Sequence, residues 1–217
     1  MNSGLPPTPP NPPGVRPRTT ATTSPPRLSL ELVPATCWAS NFRDLVSAAA
    51  WGRIRRAAYD AAGHRCEICG GAGRRHAVEC HERWSYDDAA HVQRLDGFIA
   101  LCPRCHAVKH VGRTGTIAAV EDKAWMLEAA VRHVCRINGW ARADLAAAYD
   151  AAWQEWEERS RHHWHLDLAV LAQYGFSAEQ ICELEADADK LRLQMAAERC
   201  STEETAETSL PLRHTGT

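Results

Sequence analysis

The sequence predicts an α+β chain, mostly α, in which a small ββα zinc module is flanked by helices. Three observations predict it. Two Cys-x-x-Cys pairs, Cys66/Cys69 and Cys102/Cys105, stand some thirty residues apart, a spacing that suits four thiolates around one tetrahedral Zn²⁺. Short apolar runs that read as strands lie between the pairs, and the second pair leads into His106 and His110, four residues apart on one face of a short helix. Beyond that point apolar residues recur at helical spacing. Metal closes what apolar burial in so short a module leaves marginal.

In chain order, residues 1–27 carry nine of the twelve prolines and few large apolar side chains, so they form a disordered leader. Residues 28–113 are the zinc module with a preceding helix. Ser47 is an N-cap, Trp51, Ile54, Ala58 and Ala61 give the helical face, and Gly63 ends it. Gly70, Gly71 and Gly73 are turn formers around the first cysteine pair. Ala77–Cys80 and Phe98–Leu101 are short strands, and a helix follows Cys102 through Val111. Residues 114–200 read as an α-helical region. One stripe (Leu127, Ala130, Val131, Val134) stops at Asn138-Gly139, and a second holds Leu145, Tyr149, Ala152 and Trp156. A third follows the Ser177/Gln180 capping box, with Ile181, Leu184, Ala188, Leu191 and Met195. Residues 201–217 read as a polar, frayed tail.

The 217-residue chain has a formal net charge of −2, which hides a division. Trp51 to Arg113 holds 11 basic and 7 acidic residues, a net of +4, whereas Thr114 to the end holds 10 basic and 18 acidic, a net of −8. A modest basic excess on the cysteine module suits contact with phosphate. No apolar run is long enough for a membrane span and the start of the chain has no signal-peptide core, so a cytoplasmic protein with no membrane partner is expected. Nine cysteines, with Cys37, Cys135, Cys182 and Cys200 scattered, fit a reducing compartment better than a disulfide scaffold. His162, His163 and His165 around Trp164 read as a solvated helix end, and Trp84 and Tyr86 as core and loop anchors.

Arg65-Cys66-Glu67-Ile68-Cys69-Gly70, Val78-Glu79-Cys80-His81-Glu82 and Ala100-Leu101-Cys102-Pro103-Arg104-Cys105-His106-Ala107-Val108-Lys109-His110 together resemble the HNH (ββα-metal, His-Me finger) endonucleases of the zinc-clamped kind, with an α-helical C-terminal extension. The resemblance covers Trp51 to Arg113. It implies a hydrolase of phosphodiester bonds in DNA, with RNA or branched DNA as other substrates. It also implies a structural Zn²⁺ on Cys66, Cys69, Cys102 and Cys105, and a second divalent ion, Mg²⁺, Mn²⁺, Ni²⁺ or Zn²⁺, for catalysis. Matched onto this chain, His81 is the general base and His106 the metal ligand from the helix, both counted as catalytic. Cys80, and more weakly His110, are further ligands, and Arg74, Arg75, Arg83 and Lys109 are the nucleic-acid contacts.

Two positions depart from the family pattern. Cys80 stands where a His or Asp ligand is usual, a soft thiolate that favours Zn²⁺ over Mg²⁺. Gly97 stands where the middle asparagine is expected, beside Asp96. A shifted register, with His81 as ligand and Glu82 as base or second ligand, is left open by the spacing. Two other functions stay open as well. One is a non-catalytic zinc module that binds nucleic acid, or a protein partner through the acidic helical tail. The other is a zinc-thiol redox sensor.

Overall fold

The computed structural model describes residues 25–38 and 42–208, with the side chains at 116, 118, 119 and 199–208 left aside. The first 24 residues of the expected leader and the tail from 209 lie outside the described residues. The architecture is α+β with helix dominant, as predicted. Its elements run α1 (Phe42–Leu45), α2 (Ala48–Ala61), β1 (Glu79–Asp87), β2 (Val92–Leu101), α3 (Pro103–Lys109), α4 (Val111–Val120), α5 (Ala124–Asn138), α6 (Arg142–Arg159), β3 (His165–Asp167) and α7 (Ala178–Thr208).

The Ser47 side chain accepts from the Ala50 amide (3.2 Å), capping α2 as predicted and turning Ile54 and Ala58 into the interior. The chain then folds into the first cysteine turn, where Gly70 N donates to Cys66 O (2.8 Å) and Cys66 N to Gly71 O (2.9 Å). Gly73 fits its place because a Cβ there would fall 2.1 Å from His76 O and 2.7 Å from Pro103 Cδ.

The strands are longer than the apolar runs suggested. Glu79 pairs with Leu101 and Asp87 with Val92 in an antiparallel hairpin, whose turn is fastened by Asp87 Oδ1 accepting from the Ala89 and Ala90 amides. Between Arg83 and Trp84 the register slips by one residue, because Asp96 is an extra residue on β2. Gly97, at φ +132°, supplies the backbone angle beside that bulge. In α3, Pro103 occupies the first turn, where its missing N–H costs nothing.

The C-terminal region departs from the all-helical expectation. His165–Asp167 forms β3 and pairs parallel with β2, Val92 opposite His165 and Arg94 opposite Asp167. The helix predicted through Val111 instead ends at Lys109, and a separate α4 begins after His110. Ser177 and Gln180 form the predicted capping box, each amide donating to the other side chain (2.9 and 3.2 Å). The helix it opens runs past the predicted end at 200, to Thr208.

Two apolar clusters hold these elements. One packs Phe42, Ile54, Ala58, Cys80, Leu95 and Phe98 against Leu166, Leu168, Leu171, Ile181 and Ala188, so α2, the sheet and α7 share a core. The other packs Leu28, Leu101, Val108, Ala130 and Val134 around Cys66, Cys102 and Cys105, which joins α5 to the cysteine module. The region beyond 114 is therefore continuous with the module through both cores. Among the described residues, no helix is long and apolar enough to cross a membrane.

Candidate metal centres

Cys66 and Cys69 lie on the loop after α2, and Cys102 and Cys105 on the end of β2 and the first turn of α3. Their four Sγ atoms all lie within 4.8 Å of one another. A tetrahedral ion with sulfur ligands at about 2.3 Å spaces them about 3.8 Å apart, and Cys69 Sγ to Cys102 Sγ measures 3.6 Å. The four cysteines are thus close enough to hold an ion such as zinc, as predicted. Burial works against the Cys66 thiolate, but hydrogen bonding from the backbone of Cys102, Cys69 and Ile68 outweighs it and holds its pKa below the usual thiol value. Burial and the neighbouring sulfurs push Cys105 and Cys102 up. Four sulfurs in this space ionise together only around a cation.

Behind the sulfurs stands a residue that the sequence reading missed. His133 of α5 is buried, its Nε2 3.1 Å from Cys105 Sγ and its Nδ1 3.1 Å from the Arg136 guanidinium. Burial, then Arg136 and Arg104, press its pKa down to about 4. The ring is therefore neutral, with Nδ1 accepting from Arg136 and Nε2–H donating to the sulfur, the arrangement that orients and tunes a thiolate ligand. Its separation of 28 residues in sequence from Cys105 gives no local signal.

A second cluster forms beside α3. His81 from β1 meets His106 and His110, and one ring nitrogen from each lies within 4.8 Å of the others. His81 Nδ1 is 3.2 Å from His110 Nε2, which is 3.1 Å from His106 Nε2. Imidazoles on one tetrahedral ion at about 2.0–2.1 Å sit about 3.3 Å apart.

The outward nitrogens are held by carboxylates. His81 Nε2 meets Glu31 Oε2 at 2.9 Å, and His106 Nδ1 meets Glu79 Oε2 at 2.6 Å. A neutral imidazole has one N–H, and each carboxylate, acceptor only, takes it. As metal ligands, which bind as the neutral ring, His81 and His106 would then present the lone pairs of Nδ1 and Nε2 inward. Burial, with His106 and His81 nearby, presses His110 down to about 4, so its ring is neutral. His110 has one proton and two lone-pair neighbours, so hydrogen bonding cannot satisfy the cluster. A cation at its centre can.

Glu31 comes from the segment before α1 and had no role in the sequence reading. Burial raises the pKa of its carboxyl, but the hydrogen bond to His81 and the charge of Lys109 prevail and hold it below the usual carboxylate range. The His106 contact does the same for Glu79. Lys109 Nζ pairs with Glu31 and donates to Ser29 Oγ (2.8 Å), so much of its charge is already compensated.

Of the three histidines, His81 lines a cleft of about 510 Å³, together with Arg27, Glu31, Arg83, Asp96 and Lys109 among others. Arg83 is exposed there, its Nη2 3.4 Å from Asp96 O. Arg74 and Arg75 are exposed on the loop before β1 and do not line the cleft.

Cys80, expected as a ligand, stands outside the triad. It alternates with His81 along β1, so it points to the other face of the sheet and packs in the core with Ile54 and Leu95. Burial and then Glu82 push its thiol up to about 12. Glu82 shares the Cys80 face of β1, so it too is directed away from the imidazoles. Gly97 lies opposite Arg83, where a Cβ would approach Arg83 Nη2 at 3.5 Å. Compared with known proteins, the chain matches no family model, no curated protein and no solved structure.

Proposed function

We propose that the protein is a metal-dependent endonuclease of the HNH type, hydrolysing phosphodiester bonds in DNA, with a structural zinc on the four cysteines and a second divalent ion on His81, His106 and His110. The observation that carries the reading is the convergence of three imidazole nitrogens whose far sides are fixed by Glu31 and Glu79. The order β1, β2, α3, with one histidine on the first strand and two on the helix, is the order the resemblance implies. Three neutral imidazoles suit Zn²⁺, Ni²⁺ or Co²⁺ better than Mg²⁺. With Cys80 in the core, the preference rests on nitrogen rather than sulfur.

An ion bound there supplies Lewis-acid stabilisation of charge developing on the phosphate. The residues supply the rest. In this reading His81 is a ligand rather than the base, because both of its nitrogens are engaged. Glu31, whose two oxygens are engaged by His81 and Lys109, fixes the His81 ring rather than serving as a free base. Arg83 and Arg27 flank the cleft and hold the phosphates on either side of the cut by charge-assisted hydrogen bonds. Lys109 chiefly steadies Glu31.

The test is plasmid nicking by the purified chain with Zn²⁺, Ni²⁺, Mn²⁺ or Mg²⁺. Cleavage should be strongest with the transition metals. His106→Ala and His110→Ala should abolish it while the cysteine-bound zinc and the helical circular dichroism persist. Absence of cleavage with every metal on duplex, branched and single-stranded DNA and on RNA refutes the proposal. The second reading, a non-catalytic module binding nucleic acid or a protein, is favoured by Gly97, which offers no side chain where the family carries its asparagine. It prevails if DNA binding survives His106→Ala and no cleavage is seen in the parent.

A further inference from the structure

A third group of donors lies far along the chain from both centres. His163, two residues before β3, and His165, its first residue, bring one ligand atom each within 4.8 Å of one another and of one from Asp189 of α7. We propose that these three residues form a separate binding site for a divalent transition-metal ion, Zn²⁺ by preference, which clips α7 to the β3 segment.

Three observations converge on it. The contact between His165 Nδ1 and Asp189 Oδ2 is 3.4 Å, close to the spacing of about 3.3 Å that nitrogen and oxygen ligands adopt around a tetrahedral ion. His163 and His165 are an i, i+2 pair on an extended segment, so they project to the same side, with their rings 5.4 Å apart. The third is an orphaned acceptor: Asp189 Oδ1 is buried and has no hydrogen-bond partner among the described residues. The sister oxygen, Oδ2, is the one that meets His165; a buried carboxylate oxygen without a partner calls for an explanation, and a cation bound by both oxygens is one.

The neighbourhood explains why Asp189 is placed there. Glu185, Asp189 and Arg192 occupy one face of α7, at i, i+4 and i+7. Glu185 Oε1 accepts from the Leu168 amide (2.7 Å), and the Arg192 guanidinium donates to Trp164 O (2.8 Å). The residues on either side of Asp189 thus grip the backbone around β3, whereas Asp189 meets the two imidazoles. Two imidazoles and one carboxylate leave a coordination position for water, and nitrogen donors select a transition metal over Mg²⁺ or Ca²⁺. The purpose fits the fold, because β3 is three residues long and gains a cross-link to a long helix.

The experiment compares the full-length parent with His163→Ala and Asp189→Asn by Zn²⁺ calorimetric titration and elemental analysis after dialysis. His163 is exposed and Asn keeps the volume of Asp, so both variants retain the fold, which circular dichroism checks. Each variant should bind one Zn²⁺ equivalent fewer than the parent and lose the part of the Zn²⁺-dependent rise in thermal midpoint that this site provides. Because the readout is a difference between chains with unaltered cysteines and an unaltered His81 triad, it stands whether or not the triad takes up metal. Equal stoichiometry and an equal midpoint rise in parent and both variants would overturn the proposal.

Discussion

Replacing Glu31 separates the role of its carboxylate from the mere presence of the His81 ring. In the parent, Glu31 Oε2 accepts from His81 Nε2 at 2.9 Å and its other oxygen pairs with Lys109. The negative charge fixes the tautomer that turns the His81 Nδ1 lone pair inward and makes that nitrogen more basic. Loss of such an outer partner costs a metal site roughly 10–100-fold in affinity, equivalent to about 1.4–2.7 kcal/mol. Glu31→Gln keeps the shape and one acceptor, so it belongs near the lower end. Glu31→Ala frees the ring and leaves Lys109 with Ser29 as its hydrogen-bond partner, an uncompensated charge beside the ion, so it belongs at the upper end. The assay is a Ni²⁺ titration against a competing chelator, on protein carrying zinc on its cysteines, with no substrate present. The expected order is parent tightest, then Gln, then Ala. Affinities of all three within a factor of two would refute the carboxylate-backed triad.

Cys102→Ser, or prolonged chelation, removes the ion on which the cysteine module folds. Structural zinc contributes about 10–16 kcal/mol in small modules, comparable to the whole stability of a domain, so circular dichroism should show unfolding at 37 °C, and an unchanged melt would contradict the zinc assignment. Trp164 is fully buried, edge-on to Tyr86 (5.1 Å) and donating to Arg159 O (2.8 Å). Trp164→Ala should therefore destabilise by about 3–5 kcal/mol in a denaturant titration. Asp88 carries a carboxyl pKa lowered first by its hydrogen bond to Arg159, so its contribution is present above the unfolded carboxyl pKa of about 3.9 and lost as pH falls through the lower folded value. That carboxylate is largely exposed and screened by water, so Asp88→Asn should cost less than about 1 kcal/mol near neutral pH. The difference in thermal midpoint should begin to close as pH falls below about 4.

What the sequence made legible was whatever local spacing encodes. The Cys-x-x-Cys pairs, the His106/His110 pair and the Ser47 and Ser177 caps all lie within four residues of their partners, and the structure places each as the spacing predicts. The site's outer partners were hidden because they act across long stretches of chain. Glu31 reaches His81 over fifty residues and His133 reaches Cys105 over 28, and neither belongs to a local pattern. Glu79 was read as part of a strand, but its contact with His106 depends on how α3 folds back. Cys80 was misplaced for a reason legible in principle, since β alternation forbids Cys80 and His81 from serving the same face. β3 escaped because three residues at the end of a helical stripe carry too short a pattern to stand out. The histidines His163 and His165 are exposed, as read, and the contact of His165 with Asp189, 24 residues further on, belongs to no local pattern.

The two principal centres depend on each other in one direction. Both are built on α3, seven residues long, too short to persist alone in water. Its N-cap, Cys102, makes no side-chain capping hydrogen bond, so its start is fixed by the sulfur cluster and by Pro103. Cys105 and His106 are adjacent: one is directed into the core beside Val108 and Ala130, and the next toward His81. The helix rotation that seats the sulfurs therefore also sets the angle of His106, and the turn closed by His110 N donating to His106 O (3.0 Å) carries that angle to His110. Glu79 and Glu31 then hold rings that α3 and β1 have already brought together. Take away the imidazoles and the cysteine module keeps all of its own ligands and both apolar cores. Take away the sulfur anchor and the three imidazoles lose the element that aims two of them.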